Sequence, residues 1–256
     1  MGGPLLQIAD LVSGFGEVRV HDGVSFAVDA GTITGLIGPN GAGKTTLFSV
    51  IAGALKPRAG AIWFDGKRID GQYPDVVFRS GLARTFQIPR PFPEMTVLEN
   101  VMLAPIDQAG ERFWRNWVGF DKVRAEEARL RDRAIEILGF TGLKAKAGEL
   151  AGQLSGGQQK LLELARILIT EPRLILLDEP AAGVNPALLE TLIEKIVELN
   201  RRGTTFLIIE HNMDVVMSLC RPIVVMAQGR VIYEGDGEGA RQDQRVLDAY
   251  LGDVAA

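Results

Sequence analysis

Thr32-Ile33-Thr34-Gly35-Leu36-Ile37-Gly38-Pro39-Asn40-Gly41-Ala42-Gly43-Lys44-Thr45 is the stretch on which the rest of this chain turns. Thr32–Ile37 is a short apolar run that reads as a buried strand, and a helix is expected from about Gly43 to Leu55. Between them the residues match G-x-x-x-x-G-K-[ST]. Glycines let the backbone wrap with its N–H groups facing inward, which makes an anion nest at the positive end of a helix. Lys44 adds a compact cation for β- and γ-phosphates, and the Thr45 hydroxyl can ligate Mg²⁺. A Gly-rich turn is the bland reading of such a stretch, but a strand before it and a helix after it point to binding of ATP or GTP.

Outward from this loop, the first thirty residues and 61–69 carry short apolar runs broken by Gly and Asp, such as VSFAV and AIWFDG. They read as antiparallel strands. Residues 74–150 look mainly helical, with Asp121–Leu138 an amphipathic helix stopped by Gly139. Beyond them strands (173–178, 205–210, 223–226 and VIYEG) alternate with helices (186 to about 202, closed by Gly203, and 212–220). That alternation predicts an α/β fold with a mostly parallel sheet and helices on both faces. The helical stretch 88–160 interrupts it as a subdomain.

Two further stretches carry chemistry. Leu174-Ile175-Leu176-Leu177-Asp178-Glu179-Pro180 places two carboxylates at the C-terminal end of a buried strand, the end that lies beside the phosphates in a fold of this kind. Alone this is an acidic turn after a core strand. Beside a phosphate loop, Asp178 can hold Mg²⁺ through water and Glu179 can polarise an attacking water as general base. Leu154-Ser155-Gly156-Gly157-Gln158-Gln159-Lys160 opens a helix, with Ser155 a natural N-cap and two glycines exposing N–H groups at its positive end. Alone this is a helix cap. In this order along the chain it is a second anion site.

This constellation resembles the ATP-binding-cassette (ABC) family over nearly the whole chain. Gly38–Thr45 resembles its Walker A, Gln87 in ARTFQ its Q-loop, LSGGQQK its signature and LILLDEP its Walker B. Ala181–Pro186 resembles its D-loop, His211 in LIIEHN its switch histidine, and Phe15 the aromatic that stacks on adenine. The resemblance implies a P-loop α/β core over 1–87 and 161–236 with an antiparallel β part, a helical subdomain over 88–160, and a helical extension over 237–256. It implies ATP held by Phe15, Gly38, Pro39, Asn40, Gly41, Ala42, Gly43, Lys44, Thr45 and Thr46. Mg²⁺ would sit at Thr45, Gln87 and Asp178, and catalysis would fall to Glu179, His211 and Gln87. Ser155, Gly156, Gly157 and Gln158 would serve ATP bound by a second cassette in a head-to-tail dimer. The family's D-loop usually carries Asp where this chain has Asn185, which predicts a different bonding pattern across the dimer there.

Within the family, ARTFQIPRPFPEMTVLENVMLA at 83–104, an extra segment at 105–122 with Trp114 and Trp117, and the ending LDAYLG at 247–252 resemble the larger ATPase of bacterial branched-chain (hydrophobic) amino-acid importers. That resemblance implies a heterodimer with a second, different cassette, membrane permease subunits, and a periplasmic substrate-binding protein. It places the chain at the cytoplasmic face of the bacterial inner membrane. Cassettes of urea or amide importers, of the lipopolysaccharide exporter and of soluble iron–sulfur assembly read similarly. Composition agrees. The net charge of −4 gives no reason to expect nucleic acid as partner, and the single Cys220 excludes an internal disulfide and suits a reducing compartment. No apolar run approaches the ~20 residues that span a bilayer, and MGGPLLQIADL lacks the basic and apolar regions of a secretion signal. The stretch between Lys44 and Ser155 has no sustained heptads, which argues against the chromosome-maintenance branch of the superfamily.

Overall fold

The computed structural model describes residues 3–85, 91–105 and 120–252. The chain divides into two compact units. The first comprises Met1–Gln87, Arg173–Ala182 and Ile196–Ala256, the second Ile88–Pro172 and Gly183–Lys195. The stretch 88–160 thus lies within the second unit, which also extends to Pro172 and takes in Gly183–Lys195.

The first unit holds two sheets. Strands β1 (Leu6–Phe15), β2 (Val18–Val28), β4 (Ala59–Phe64) and β5 (Lys67–Arg68) form an antiparallel sheet in the order β2-β1-β4-β5. Along most of β1 the buried residues alternate with exposed ones, as one covered face demands. The second sheet runs β10-β9-β3-β8-β7-β6, from β3 (Ile33–Ile37), β6 (Leu82–Arg84), β7 (Leu174–Asp178), β8 (Thr205–Ile209), β9 (Ile223–Ala227) and β10 (Arg230–Gly235). All its pairings are parallel except β9 with β10. Every residue of β3, β7 and β8 is buried, because central parallel strands are covered on both faces. Helix α1 (Lys44–Ile51) contributes Leu47, Phe48, Val50 and Ile51 to a core shared with both sheets. Burying Leu47 and Phe48 stabilises the fold by about 2 kcal/mol each and fixes where the start of α1 lies.

Helices α2 (Pro74–Arg79), α3 (Val97–Met102), α4 (Phe120–Phe140), α5 (Gly156–Leu168), α6 (Pro186–Arg201), α7 (Met213–Leu219), α8 (Gly237–Gln242) and α9 (Gln244–Gly252) follow among the described residues, with short 3-10 turns at Lys144–Lys146 and Ala151–Gln153. In the second unit, α3 begins with a reciprocal cap between Thr96 and Glu99. Buried Asn100 ties its amide to the carbonyls of Phe92, Met95 and Thr96 and accepts the Phe92 N–H at 2.9 Å.

Residues 74–150, read as mainly helical, also hold a parallel edge strand on β7, Leu82–Arg84, too short to show alternation in sequence. Two helix ends need correction. The helix expected to stop at Gly139 runs through it. Gly139 keeps an ordinary backbone, and the stop is Gly142, at φ 76°, where the Leu143 N–H reaches Leu138 O at 2.7 Å and the Gly142 N–H reaches Gly139 O at 3.2 Å. That pair of bonds closes a helix only around a left-handed residue, which is why glycine stands there. Helix α1 ends at Ile51, short of Leu55, through the same pair of bonds made by Ala54 and Gly53.

Candidate nucleotide-binding site

The loop between β3 and α1 belongs wholly to the first unit. Gly38, Gly41 and Gly43 all take positive φ (146°, 76° and 98°), so the backbone coils into a concave turn that other residues resist. The Lys44 ammonium crosses this turn and donates to Gly38 O at 2.7 Å and Pro39 O at 2.9 Å. With that side chain almost wholly buried, the loop holds one fixed positive charge inside a ring of backbone dipoles. Asn40, Gly41 and Thr45 are exposed, Pro39, Gly43 and Thr46 half-buried, and Ala42 is buried against the core.

The ends of β7 and β8 meet this loop. Asp178, the last residue of β7, is 3 % exposed. The Thr45 hydroxyl stands 3.5 Å from Asp178 Oδ1, and the Arg84 guanidinium donates to Asp178 Oδ2 at 3.0 Å. The Thr85 hydroxyl accepts the Asp178 N–H at 3.2 Å. Burial raises the Asp178 carboxyl above its usual range, and the hydrogen bond from Arg84 opposes that. Arg84 also donates to Ser49 Oγ at 2.9 Å, while its buried Nε has no partner among the described residues.

Glu179 carries the strain of the site. It is not glycine, yet its φ is 50°, a conformation costing about 1 kcal/mol. Two bonds hold it there: its N–H donates to Ile209 O at 2.9 Å, and its carbonyl accepts from Ala182 at 3.1 Å. Its Oε1 lies 3.1 Å from His211 Nε2, and the His211 side chain is nearly half exposed. An acid and an imidazole are thus paired one residue beyond Asp178, which the Thr45 hydroxyl reaches, and such a pair can serve general-base chemistry on a bound water.

Sequence reasoning missed Glu210. This buried carboxylate accepts the N–H groups of Ala181 (2.6 Å), His211 (3.0 Å) and Asn212 (3.2 Å), so it fixes both the turn after Glu179 and the backbone of His211. A charged residue ending an apolar strand was its one visible signal. Arg84 and Thr85, only three and two positions before Gln87, were missed as well; Gln87 itself lies outside the described residues. Phe15 ends β1 with 57 % of its surface exposed, an aromatic face open to a flat partner.

The signature residues belong to the second unit. Ser155 caps α5 by a reciprocal pair: its hydroxyl accepts the Gln158 N–H at 3.4 Å and its own N–H donates to Gln158 Oε1 at 3.0 Å. Ser155 and Gly156 are exposed and Gly157 is buried, with Leu188 of α6 where a Gly157 side chain would go. Asn185, in the stretch read as a D-loop, caps α6 by accepting the Leu188 N–H at 3.0 Å. Of the segment 105–122, residues 106–119, with Trp114 and Trp117, lie outside the described residues.

Comparison with known proteins agrees with this geometry. A family model described as "ABC transporter" matches residues 21–182. The chain is 39 % identical to the probable branched-chain amino acid transport ATP-binding protein LivG of Methanocaldococcus jannaschii, over 97 % of this chain and 98 % of the relative. It is 38 % identical to the high-affinity branched-chain amino acid transport ATP-binding protein BraF of Pseudomonas aeruginosa, over 99 % of this chain and all of that one. A crystal structure of a nucleotide-free ATP-binding cassette from an ABC transporter superposes with a TM-score of 0.84 at 39 % identity, covering 97 % of this chain and 99 % of the other.

Proposed function

The chain belongs to the ABC transporter family as an ATP-binding and ATP-hydrolysing cassette, and from that premise we propose that it powers uptake of branched-chain or other hydrophobic amino acids. The observation that carries the ATPase reading is the convergence of Lys44, Thr45, Asp178, Glu179 and His211 at the ends of β3, β7 and β8. The cargo rests on the relatives, whose names are those of branched-chain amino-acid transport proteins.

In this reading the coiled backbone of Gly38–Thr46 and the Lys44 ammonium receive the phosphates of ATP, and Phe15 stacks on the base. Nucleotide phosphates drawing the ammonium inward would replace its two carbonyl partners with stronger, charge-assisted bonds. Glu179 accepts a proton from the attacking water, and His211, held by Glu210, positions that water against the γ-phosphate. The Thr45 hydroxyl and the Asp178 carboxylate are hard oxygen donors close enough to share one small cation, so the residues fit Mg²⁺, with Asp178 reaching it through water. When bound, Mg²⁺ neutralises phosphate charge. Gln87 is proposed as a further contact to the ion and to the permease.

Two such cassettes act as a head-to-tail pair. Ser155, Gly156, Gly157 and Gln158 offer a positive helix end, exposed at Ser155 and Gly156, to ATP held by the partner's phosphate loop. The partner is a second, different cassette, and the pair sits on permease subunits at the cytoplasmic face of the inner membrane. No helix among the described residues is long and apolar enough to cross a membrane itself. The test is reconstitution of this chain with its neighbouring cassette, permeases and binding protein in vesicles. ATP-dependent uptake of leucine, isoleucine or valine is expected. Uptake of urea or short amides instead would overturn the cargo while leaving the ATPase intact.

A further inference from the structure

His21 is one of two histidines in the chain, and no part of the chemistry above uses it. It lies on β2, wholly buried, between two polar partners. Its Nδ1 is 2.6 Å from the Ser13 hydroxyl on β1, and its Nε2 is 3.0 Å from the carbonyl oxygen of Gly43 in the phosphate loop. A carbonyl only accepts, so Nε2 carries the hydrogen, and in the neutral ring Nδ1 is then the acceptor for the Ser13 O–H. One proton arrangement satisfies every group in this buried row.

The row has a direction. Ser13 and His21 are cross-strand partners in the hairpin whose far end pairs Phe15 with Val18. Phe15 stands two residues, about 7 Å, beyond Ser13 along the strand. The other end of the row is the N-cap of α1. The Gly43 carbonyl already accepts the Leu47 N–H at 2.8 Å in the first turn of the helix, and the imidazole occupies its remaining lone pair. Contact is close enough to exclude any side chain: a Cβ on Gly43 would lie 2.8 Å from His21 Nε2 and 3.0 Å from Val20 Cγ1. A second tie holds the same strand, since the Asp22 N–H donates to Gly229 O at 3.0 Å in the turn between β9 and β10.

We propose that the row Ser13–His21–Gly43 is a positioning device that sets the spacing between the base-stacking hairpin of Phe15 and the phosphate loop of Lys44, so that both ends of one nucleotide are met at once. The inference rests on the proposed nucleotide site. His21 touches no nucleotide. It holds the two surfaces that do, and a rigid spacing spares ATP the ordering of the hairpin on binding. Breaking the row therefore weakens a ligand that spans both surfaces more than one that fills the phosphate loop alone.

The experiment measures the affinity of the full-length chain for MgATP and for inorganic tripolyphosphate by calorimetry, in wild type, His21→Leu, His21→Gln, Ser13→Ala and Lys44→Ala, with thermal melting as the folding check. His21→Leu is expected to weaken ATP roughly 5- to 10-fold, the worth of about one buried hydrogen bond, while tripolyphosphate changes by less than about twofold. His21→Gln, which keeps an N–H donor near the Nε2 position, restores ATP affinity to within about twofold of wild type. Ser13→Ala, which frees the ring to choose the wrong tautomer, shows the same selectivity as His21→Leu at smaller size, and it carries the test if the leucine variant fails to fold. Equal loss of both ligands, no loss of either, or a glutamine variant as weak as the leucine one would overturn the proposal. Lys44→Ala separates the two readings: if it leaves tripolyphosphate binding intact, the phosphate loop itself has been misassigned, whereas if it weakens both ligands and His21→Leu neither, only the row falls.

Discussion

The N-termini of α1 and α5 both carry glycines, and they are built differently. At α1 the loop coils through three left-handed glycines and closes over its own ammonium, with Lys44 bonded to Gly38 and Pro39. At α5 there is no lysine in the turn; Ser155 and Gln158 cap each other and leave Gly156 exposed. The first site brings its own counter-charge, and both lie within one unit. The second offers only the partial charge of a helix end, of the order of half an elementary charge. Such an end adds to the hold on an anion already gripped by a full charge elsewhere. The contrast explains in physical terms why such a chain works in pairs.

Substitutions at the two helix ends and beside them probe that contrast. Glu179→Gln has the largest expected effect. It removes the carboxylate that faces the His211 imidazole while leaving the phosphate cradle untouched, so turnover should fall on the order of 1,000-fold with ATP binding retained. Steady-state ATPase of the assembled transporter checks this, and near-normal turnover would remove Glu179 from its role. Lys44→Ala comes next. Loss of the fixed charge should weaken ATP on the order of 100-fold, about 3 kcal/mol, in the isolated chain. An unchanged dissociation constant would mean the first cradle does not depend on its own cation. Phe15→Ala should weaken ATP roughly fivefold, about 1 kcal/mol, by removing a stacking face. Equal binding of ATP and GTP at wild-type strength would end that assignment. Ser155→Ala has the smallest effect on nucleotide. It should lower stability by about 1 kcal/mol through loss of the cap, visible in thermal melting. The affinity of the chain's own loop for ATP should stay within about twofold.

The first region was readable in sequence and much of what supports it was not. The glycine spacing and Lys44 are a local pattern, so the loop, the strand before it and the helix after it could be placed from residues alone. Asp178 and Glu179 followed because a buried apolar strand ends in them. Arg84, Thr85 and Glu210 are different. Their roles depend on strands β6, β7 and β8 lying side by side, and Arg84 reaches Asp178 across 94 positions. Nothing in a single stretch announces such a pair. The misplaced end of α4 has a local cause: Gly139 and Gly142 are equally glycine in sequence, and only the left-handed backbone at Gly142 tells them apart. For the second region, the cap at Ser155 was legible from Ser-x-x-Gln spacing. The crowding of Gly157 against Leu188, on a helix 31 positions downstream, was not.

In the proposed function the two helix ends serve one ATP from two different chains. Placing Ser155→Arg in this chain alone, assembling it with its partner cassette and permease, and measuring ATPase and transport alongside the chain's own ATP affinity tests that sharing. ATP binding at its own Lys44 loop is expected to persist while turnover of the assembly falls sharply, because a bulky cation now blocks the partner's nucleotide. Unchanged turnover with the variant chain fully incorporated would contradict it.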